Sequence, residues 1–119
     1  MNEKIIKGFV AEIEKSSPLK LKVKGHRYNP PRPVHFYGSK RNYIPDIEVT
    51  FANNKRSFYI FESEVKEDDI SQLLFKWILF SSEAKKMSGK FYLVINKADA
   101  KYCEEVIRDK QLDVELVVL

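Results

Sequence analysis

The sequence predicts a mixed α/β domain in the order αβββαβαβ, in which helices flank a sheet of antiparallel and parallel strands. Apolar residues recur at helical spacing in residues 2–15 and 70–87, with strand-like segments between them. Two of these segments follow one another across a short turn, as in an antiparallel hairpin. The continuous apolar run 91–95, placed between two helical segments, is typical of a parallel strand buried on both faces.

The predicted domain begins with a helix and an edge strand. Residues 2–15 form an amphipathic helix, which Ser16-Ser17-Pro18 ends. In residues 19–24, leucine and valine alternate with lysine, so one face of the strand is apolar and the other is cationic. Lysines on the open face suit the edge of a sheet, because charge there discourages pairing with another chain.

Residues 25–42 form the one long segment without a regular period, and its three prolines favour extended structure. A loop of this length inside a compact domain is commonly functional. It interleaves cations, which pair with phosphate, and aromatic rings, on which bases stack. We therefore predict a nucleic-acid contact loop; the alternative is that its aromatic side chains cover the core. The candidate nucleic-acid-binding residues are Arg27, Arg32, Lys40, Arg41 and Tyr43.

The second half of the chain carries a long helix between strands. Residues 70–87 are largely apolar and end near Gly89, and Glu67-Asp68-Asp69 places acidic side chains at the start of this helix. Part of this helix could form the face of a homodimer. The remaining elements are predicted as strand 44–52, turn 53–56, strand 57–65, strand 91–95, helix 98–109 and strand 114–119.

Size and composition indicate the class of protein. A chain of 119 residues with 44% hydrophobic and 32% charged residues is typical of one globular domain, here residues 1–119. No apolar run approaches the roughly 18 residues of a membrane span, so we expect no membrane association. The N-terminus lacks a signal-peptide pattern, which predicts a cytoplasmic protein. The single Cys103 excludes an internal disulfide, and we expect it to be buried.

The net charge of +4 is unevenly distributed along the chain. Residues 1–56 hold 12 Lys/Arg against 5 Asp/Glu, a net charge of +7, and residues 57–119 hold 9 against 12, a net charge of −3. A basic half beside an acidic cluster fits a site that attracts a polyanion and holds a metal ion. The alternative is an uneven surface without a specific partner.

Three carboxylates occur in the apolar, aromatic sequence of the predicted hairpin. Asp46 lies near the start of its first strand, and Glu62 and Glu64 lie near the end of its second strand. A carboxylate is costly to remove from water unless it is paired or binds a cation. Three of them close together suggest a divalent metal ion held by oxygen ligands.

The register of the hairpin decides whether these carboxylates meet. If the loop is residues 53–55, Asp46 lies opposite Glu62, with Glu64 on the same face. A loop of residues 53–56 instead places Asp46 opposite Ser63 and splits the cluster, unless a bulge restores it. In the alternative reading, Glu62, Glu64 and Lys66 form a solvated strand end.

Pro45-Asp46 followed by Glu62-Ser63-Glu64 resembles the PD-(D/E)xK nuclease superfamily. That superfamily includes restriction endonucleases, archaeal Holliday-junction resolvases and RecB-type exonuclease domains. The resemblance covers most of the chain and implies a restriction endonuclease-like core, because the family has a helix, a three-stranded meander, a helix and a strand in this order. It extends to Gln72, since RecB-like and resolvase-like members carry glutamine there. An acid of the first helix often joins the site in the family; here Glu12 or Glu14 would do so, with Glu12 preferred when the opposite helix face is core.

The chain departs from the family motif at Glu64, which stands at the position of the signature lysine. In the family, that lysine orients or activates the attacking water. Some active members use glutamate there, others relocate the lysine, and many relatives have lost activity. Lys66 or Lys76 would supply the cation in this chain, and Lys76 is preferred for its reach.

The resemblance implies a nuclease that cleaves phosphodiester bonds in DNA with a water molecule activated by Mg²⁺ or Mn²⁺. The alternative is a catalytically inactive nucleic-acid-binding or assembly module of the same fold. A third, weaker reading is an α/β interaction protein with no nucleic-acid role. The catalytic residues implied are Asp46, Glu62, Glu64, Gln72, Lys66, Lys76 and Glu12, of which the first three would hold the metal ion.

Overall fold

The structure is a computed structural model that describes residues 3–25, 29–34 and 42–119, and these residues form three α-helices and five β-strands. None of these helices combines the length and the apolar character that crossing a membrane requires. The elements are α1 (Glu3–Glu14), β1 (Lys20–Val23), β2 (Ile47–Thr50), β3 (Arg56–Glu62), α2 (Ile70–Lys86), β4 (Phe91–Ile95), α3 (Ala100–Asp109) and β5 (Glu115–Val118).

The strands form one mixed sheet in the order β1-β2-β3-β4-β5. The pairs β1–β2 and β2–β3 are antiparallel, and the pairs β3–β4 and β4–β5 are parallel. Each parallel pair is connected through a helix, α2 or α3, as parallel strands require. The predicted order αβββαβαβ and the position of the lysine-rich strand at a sheet edge are therefore confirmed.

Helices cover both faces of the sheet because side chains of a strand point alternately to its two faces. On one face, Val10 and Ile13 of α1 pack against a cluster that includes Phe61. On the other face, Trp77 of α2 packs in a second cluster with Leu93, and both side chains are fully buried. The site described below lies on the α2 side of the sheet.

The hairpin between β2 and β3 turns one residue earlier than predicted. The N–H of Phe51 donates to the carbonyl oxygen of Lys55 at 2.8 Å, so the loop is Ala52–Asn54 rather than a loop that begins at residue 53. Asn53 and Asn54 have φ angles of 71° and 60°. Asparagine tolerates this left-handed conformation better than most residues, which explains why the turn forms there.

This earlier turn changes the position of Asp46 relative to β3. Ile47 pairs with Tyr59, and the N–H of Asp46 also donates to the carbonyl oxygen of Tyr59 at 3.1 Å. Two residues of one strand thus meet one residue of the other, as in a β-bulge. The predicted placements of Asp46 opposite Glu62 and opposite Ser63 are both wrong, because the observed register moves the partner by at least two residues.

Two glycines provide a matched test of how closely the chain after α2 approaches β3. A Cβ atom at Gly89 would lie 1.8 Å from the carbonyl oxygen of Arg56, whereas one at Gly8 in α1 would meet nothing within 4 Å. We expect Gly89→Ala to destabilise the fold by roughly 1–3 kcal/mol because backbone must move. Gly8→Ala should stabilise it by about 0.5–1 kcal/mol through helix propensity. Urea unfolding measures both, and a neutral Gly89→Ala would contradict the close approach.

Candidate functional site

A cavity of about 400 Å³ lies where the start of β2, the end of β1 and α2 meet. Within the described ranges, its charged lining groups are one carboxylate, Asp46, and two cations, Lys24 and Lys76. The residues that line it are Lys24, Asn42, Tyr43, Ile44, Asp46, Ile60, Phe61 and Lys76. We call it the Asp46 cavity.

The side chain of Asp46 is bonded from β3, and its backbone is bonded from the residue that follows β1. Its Oδ2 accepts a hydrogen bond from the N–H of Phe61 at 2.8 Å, and its carbonyl oxygen accepts one from the N–H of Lys24 at 2.9 Å. Burial raises the pKa of the Asp46 carboxyl above its usual value, although the Phe61 N–H, Lys24 and Lys76 each lower it. Asp46 is therefore a rigid carboxylate whose charged form is costly to keep.

Lys76, which lines the Asp46 cavity, also contacts a second carboxylate, that of Glu62. Its Nζ pairs with Oε1 of Glu62, the last residue of β3, and it is also close enough to Asp46 to lower the pKa of that carboxyl. Glu62 is only 7% exposed, and apart from this ion pair its Oε1 has no hydrogen-bond partner in the described part of the chain. One ammonium group of α2 thus lies near the carboxylate before β2 and the carboxylate at the end of β3.

Glu64 and Lys66 lie outside this arrangement. β3 ends at Glu62, and the carbonyl oxygen of the next residue, Ser63, accepts a hydrogen bond from Asn96 at 2.6 Å. The side chains of Glu64 and Lys66 are 66% and 59% exposed and pair with each other at 3.6 Å. The prediction that Glu64 shares a strand face with Glu62 is wrong, because the strand does not reach it. The cation beside Glu62 comes from Lys76 rather than Lys66.

The two remaining catalytic candidates are on helix surfaces. Gln72 is exposed on α2 one turn before Lys76, so both residues lie on the same side of that helix. Glu12 is exposed on α1, where its carboxylate pairs with Lys15 at 2.8 Å. Since α1 covers the sheet face opposite to α2, the structure does not bring Glu12 to Lys76.

The nucleic-acid-binding candidates are only partly described. Tyr43 is half-buried, with its ring centroid 6.2 Å from that of Phe75, and it packs against the core as well as lining the Asp46 cavity. For this residue the alternative that loop aromatics cover the core is confirmed. Arg32 is exposed and lines a separate cleft. The other three candidates, Arg27, Lys40 and Arg41, lie outside the described residues.

Asp46 and Glu62 are the carboxylates available to a metal ion. Across residues 3–25, 29–34 and 42–119, no three Asp, Glu, His or Cys side chains form a group that could hold one. Mg²⁺, however, is commonly bound by one or two protein carboxylates, with water and substrate phosphate as its other ligands. The Oε1 atom of Glu62, whose one contact in the described part of the chain is the Lys76 ammonium, could take part in such a site if that ammonium moved to the phosphate. The donor set suits an ion shared with a phosphate.

Two residues near the site were not expected there. Lys24 continues the pairing of β1 with β2, and its N–H donates to the carbonyl oxygen of Asp46. With the strand register known, the alternating lysines of residues 19–24 would have indicated that Lys24 lies beside Asp46.

Cys103 of α3 is buried, as predicted. Its pKa is raised to about 11, chiefly by burial and further by the charges of Asp99 and Glu62. It is therefore a protonated packing residue and not a nucleophile.

Asp46→Asn tests the cost of the buried charge. Since the folded state raises the pKa of Asp46 above its ordinary value of 3.8, it binds this proton more tightly than the unfolded chain does. Stability contributed by the protonated form is lost as the pH rises from 3.8 through the folded pKa. The variant keeps an acceptor for the Phe61 N–H, so its stability relative to wild type should rise over that interval and remain higher at neutral pH. Urea unfolding across this pH range measures the difference; a constant difference would contradict it.

Lys76→Met tests the ion pair with Glu62. We expect a loss of about 1–3 kcal/mol, because a buried carboxylate is left without a partner. Adding Glu62→Gln should recover part of that loss, which a double-mutant cycle by urea unfolding measures. The matched control is Lys66→Met in the exposed pair with Glu64, which should change stability by less than about 0.5 kcal/mol. Equal losses in the two lysine variants would argue against a special role for Lys76.

Asp46, Glu62 and Lys76 thus come from three different elements, the segment before β2, the end of β3 and α2. Their chemistry is that of two carboxylates and an ammonium group beside an open cavity. Comparisons of the chain with protein-family models, with curated proteins and with solved structures found no match.

Proposed function

We propose that this protein is a PD-(D/E)xK-like, Mg²⁺-dependent nuclease acting on DNA, in which Lys76 replaces the signature lysine. The observation that carries the proposal is the placement of Lys76 beside Glu62 and Asp46. The element order supports it, because a helix, a three-stranded meander, a helix and a parallel strand match the core of that family. A relocated lysine is also a known variation of the family motif.

The residues have complementary roles under this proposal. Asp46 and Glu62 would hold the ion, which when bound supplies polarisation of the scissile phosphate and a lower pKa for its water ligands. Lys76 would stabilise the negative charge that develops on the phosphate, since an ammonium group already held beside the site needs little reorganisation. Lys24, on the cavity wall, would hold the neighbouring phosphate charge. The N–H of Phe61 keeps the Asp46 carboxylate in one orientation.

A separate observation favours the alternative, a catalytically inactive nucleic-acid-binding or assembly module. Lys76 already pairs with Glu62, and Glu64 is exposed and pairs with Lys66 instead of joining Asp46 and Glu62. With no third acidic, histidine or cysteine ligand among the described residues, metal affinity depends on what the substrate adds. In this alternative, the ion pair between Lys76 and Glu62 has a structural role, and surface cations bind the nucleic acid without a metal ion.

Metal titration tests the nuclease proposal. Isothermal titration calorimetry with Mg²⁺ and Mn²⁺ should detect binding to the wild type and binding at least about 100-fold weaker to Asp46→Ala and Glu62→Gln. Because the wild type is expected to bind the ion best with phosphate present, each titration is repeated with a non-cleavable oligonucleotide. Glu64→Gln is the matched control; it removes an exposed carboxylate two residues from Glu62 and should bind like the wild type.

Cleavage assays separate the two functions. The nuclease proposal expects wild-type protein to cut plasmid or oligonucleotide DNA with Mn²⁺ and Lys76→Met to bind the ion but lose cleavage. Absence of metal binding by the wild type, with or without oligonucleotide, would overturn it. Salt-dependent DNA binding without cleavage would support the inactive module. Absence of any nucleic-acid binding at low salt would contradict both functions.

A further inference from the structure

A second cleft, of about 190 Å³, lies beside the edge strand β1, and among the described residues it shares none of its lining with the Asp46 cavity. Its charged lining residues within the described segments are four cations, Lys20, Lys22, Arg32 and Arg56, and one carboxylate, Glu48. We call it the cationic cleft. An excess of cations in a concave surface concentrates the local positive potential and attracts anions.

Glu48 organises part of this cleft. Although it is charged, it is only 3% exposed, and its Oε1 accepts a hydrogen bond from Nε of Arg56 at 2.8 Å and pairs with Nη2 of the same side chain. Its Oε2 lies 3.7 Å from Nζ of Lys22. The Arg56 guanidinium also lies over the Phe58 ring, 5.1 Å from the centroid, and 3.8 Å from a carboxylate oxygen of Glu83. Arg56 and Lys22 are therefore fixed in place before any ligand arrives.

Lys20 and Arg32 supply the charge that is left unmatched. Both residues are exposed, and neither has an ion-pair partner within residues 3–25, 29–34 and 42–119. Both residues line the cationic cleft, and Glu48 lines it as well. The carboxylates of Glu48 and Glu83 offset only two of the four cations, so the cleft keeps an excess of positive charge.

A line of lysines connects the cationic cleft with the Asp46 cavity. Lys20 and Lys22 lie opposite Thr50 and Glu48, and Lys24 continues this pairing to Asp46 through a backbone hydrogen bond. Every second residue of a strand points to the same face, and at about 3.3 Å per residue the three lysines span about 13 Å. Lys22 lines the cationic cleft and Lys24 lines the Asp46 cavity. A regular row of cations fits an extended polyanion better than a single small anion.

We propose that the cationic cleft binds phosphate groups of a nucleic-acid backbone and that Lys20, Lys22 and Lys24 lead the same strand to the Asp46 cavity. A nucleic acid carries one negative charge on each nucleotide, which supplies the repeated charge that the row requires. Arginine also suits phosphate, because its planar fork can donate two parallel hydrogen bonds. Binding in the cleft stands on its own residues, whereas the direction towards Asp46 rests on the proposed function.

Fluorescence anisotropy with a labelled single-stranded DNA tests the cleft. The measurements are made in EDTA, so neither metal binding nor cleavage contributes. Lys20→Gln combined with Arg32→Gln should weaken binding about tenfold at low salt and lower the slope of log K against log salt by about 1.4, since each lost phosphate contact removes about 0.7. The matched control, Lys85→Gln with Lys86→Gln, removes the same charge from an exposed helix end and should bind within about twofold of the wild type. Circular dichroism confirms that each variant is folded.

Three results would overturn the inference. The first is no binding by wild type at low salt, and the second is a cleft variant that binds like the wild type or weakens only as much as the control. The third is displacement of the DNA by poly-glutamate as effectively as by unlabelled DNA of equal charge, which would assign the cleft to acidic polypeptides.

Lys24→Gln tests the path from the cleft to the Asp46 cavity. It should also weaken DNA binding, and unchanged affinity would remove Lys24 from the row. A failed metal titration would end the nuclease proposal without altering these binding results.

Discussion

The α2 side of this sheet is built around carboxylates that have left water and must therefore be matched by cations. Asp46 precedes β2, Glu48 lies within β2 and Glu62 ends β3, and each is wholly or largely removed from solvent. Removing a carboxylate from water costs several kcal/mol unless an opposite charge and hydrogen bonds compensate for it. The cations come from other elements, with Lys76 on α2 and Arg56 at the start of β3. Strand register and helix position are consequently tied to charge pairing as well as to apolar packing.

The negative charges of these carboxylates are not equally well compensated. This difference distinguishes a structural residue from a candidate functional residue. Glu48 receives a two-point contact from Arg56 and the nearby ammonium of Lys22, which accounts for its burial. Within the described residues, the side chain of Asp46 accepts one hydrogen bond, and burial outweighs its favourable contacts in setting its pKa. Residues whose charge lowers the stability of the folded protein are more common at functional sites than elsewhere. That asymmetry supports Asp46 as the centre of the proposed site and Glu48 as the support of the cationic cleft.

Much of this fold follows from short-range patterns. Helical spacing and the apolar run 91–95 predict the order of elements, and the core position of Trp77 follows from the same pattern. The register did not follow, because the position of the turn depends on two asparagines in left-handed conformations, and a shift of one residue there moves every cross-strand partner by two. The end of β3 at Glu62 was also missed, so Glu64 was expected on a strand face that ends before it. Lys76 reaches Glu62 only through tertiary packing of α2, which no local pattern encodes.

In the ion pair between Lys76 and Glu62, the ammonium group would compete with a metal ion for the Glu62 carboxylate. Any ion that approaches Glu62 must displace an ammonium group that is already present at a high effective concentration. A phosphate beside Lys76 would draw that ammonium away and free the carboxylate, so ion and phosphate would each increase the affinity of the other by the same factor. The apo site would in this way be kept switched off by an internal counter-ion. Under the proposed function, binding of a nucleic acid, rather than the metal concentration, would then determine when the site is assembled.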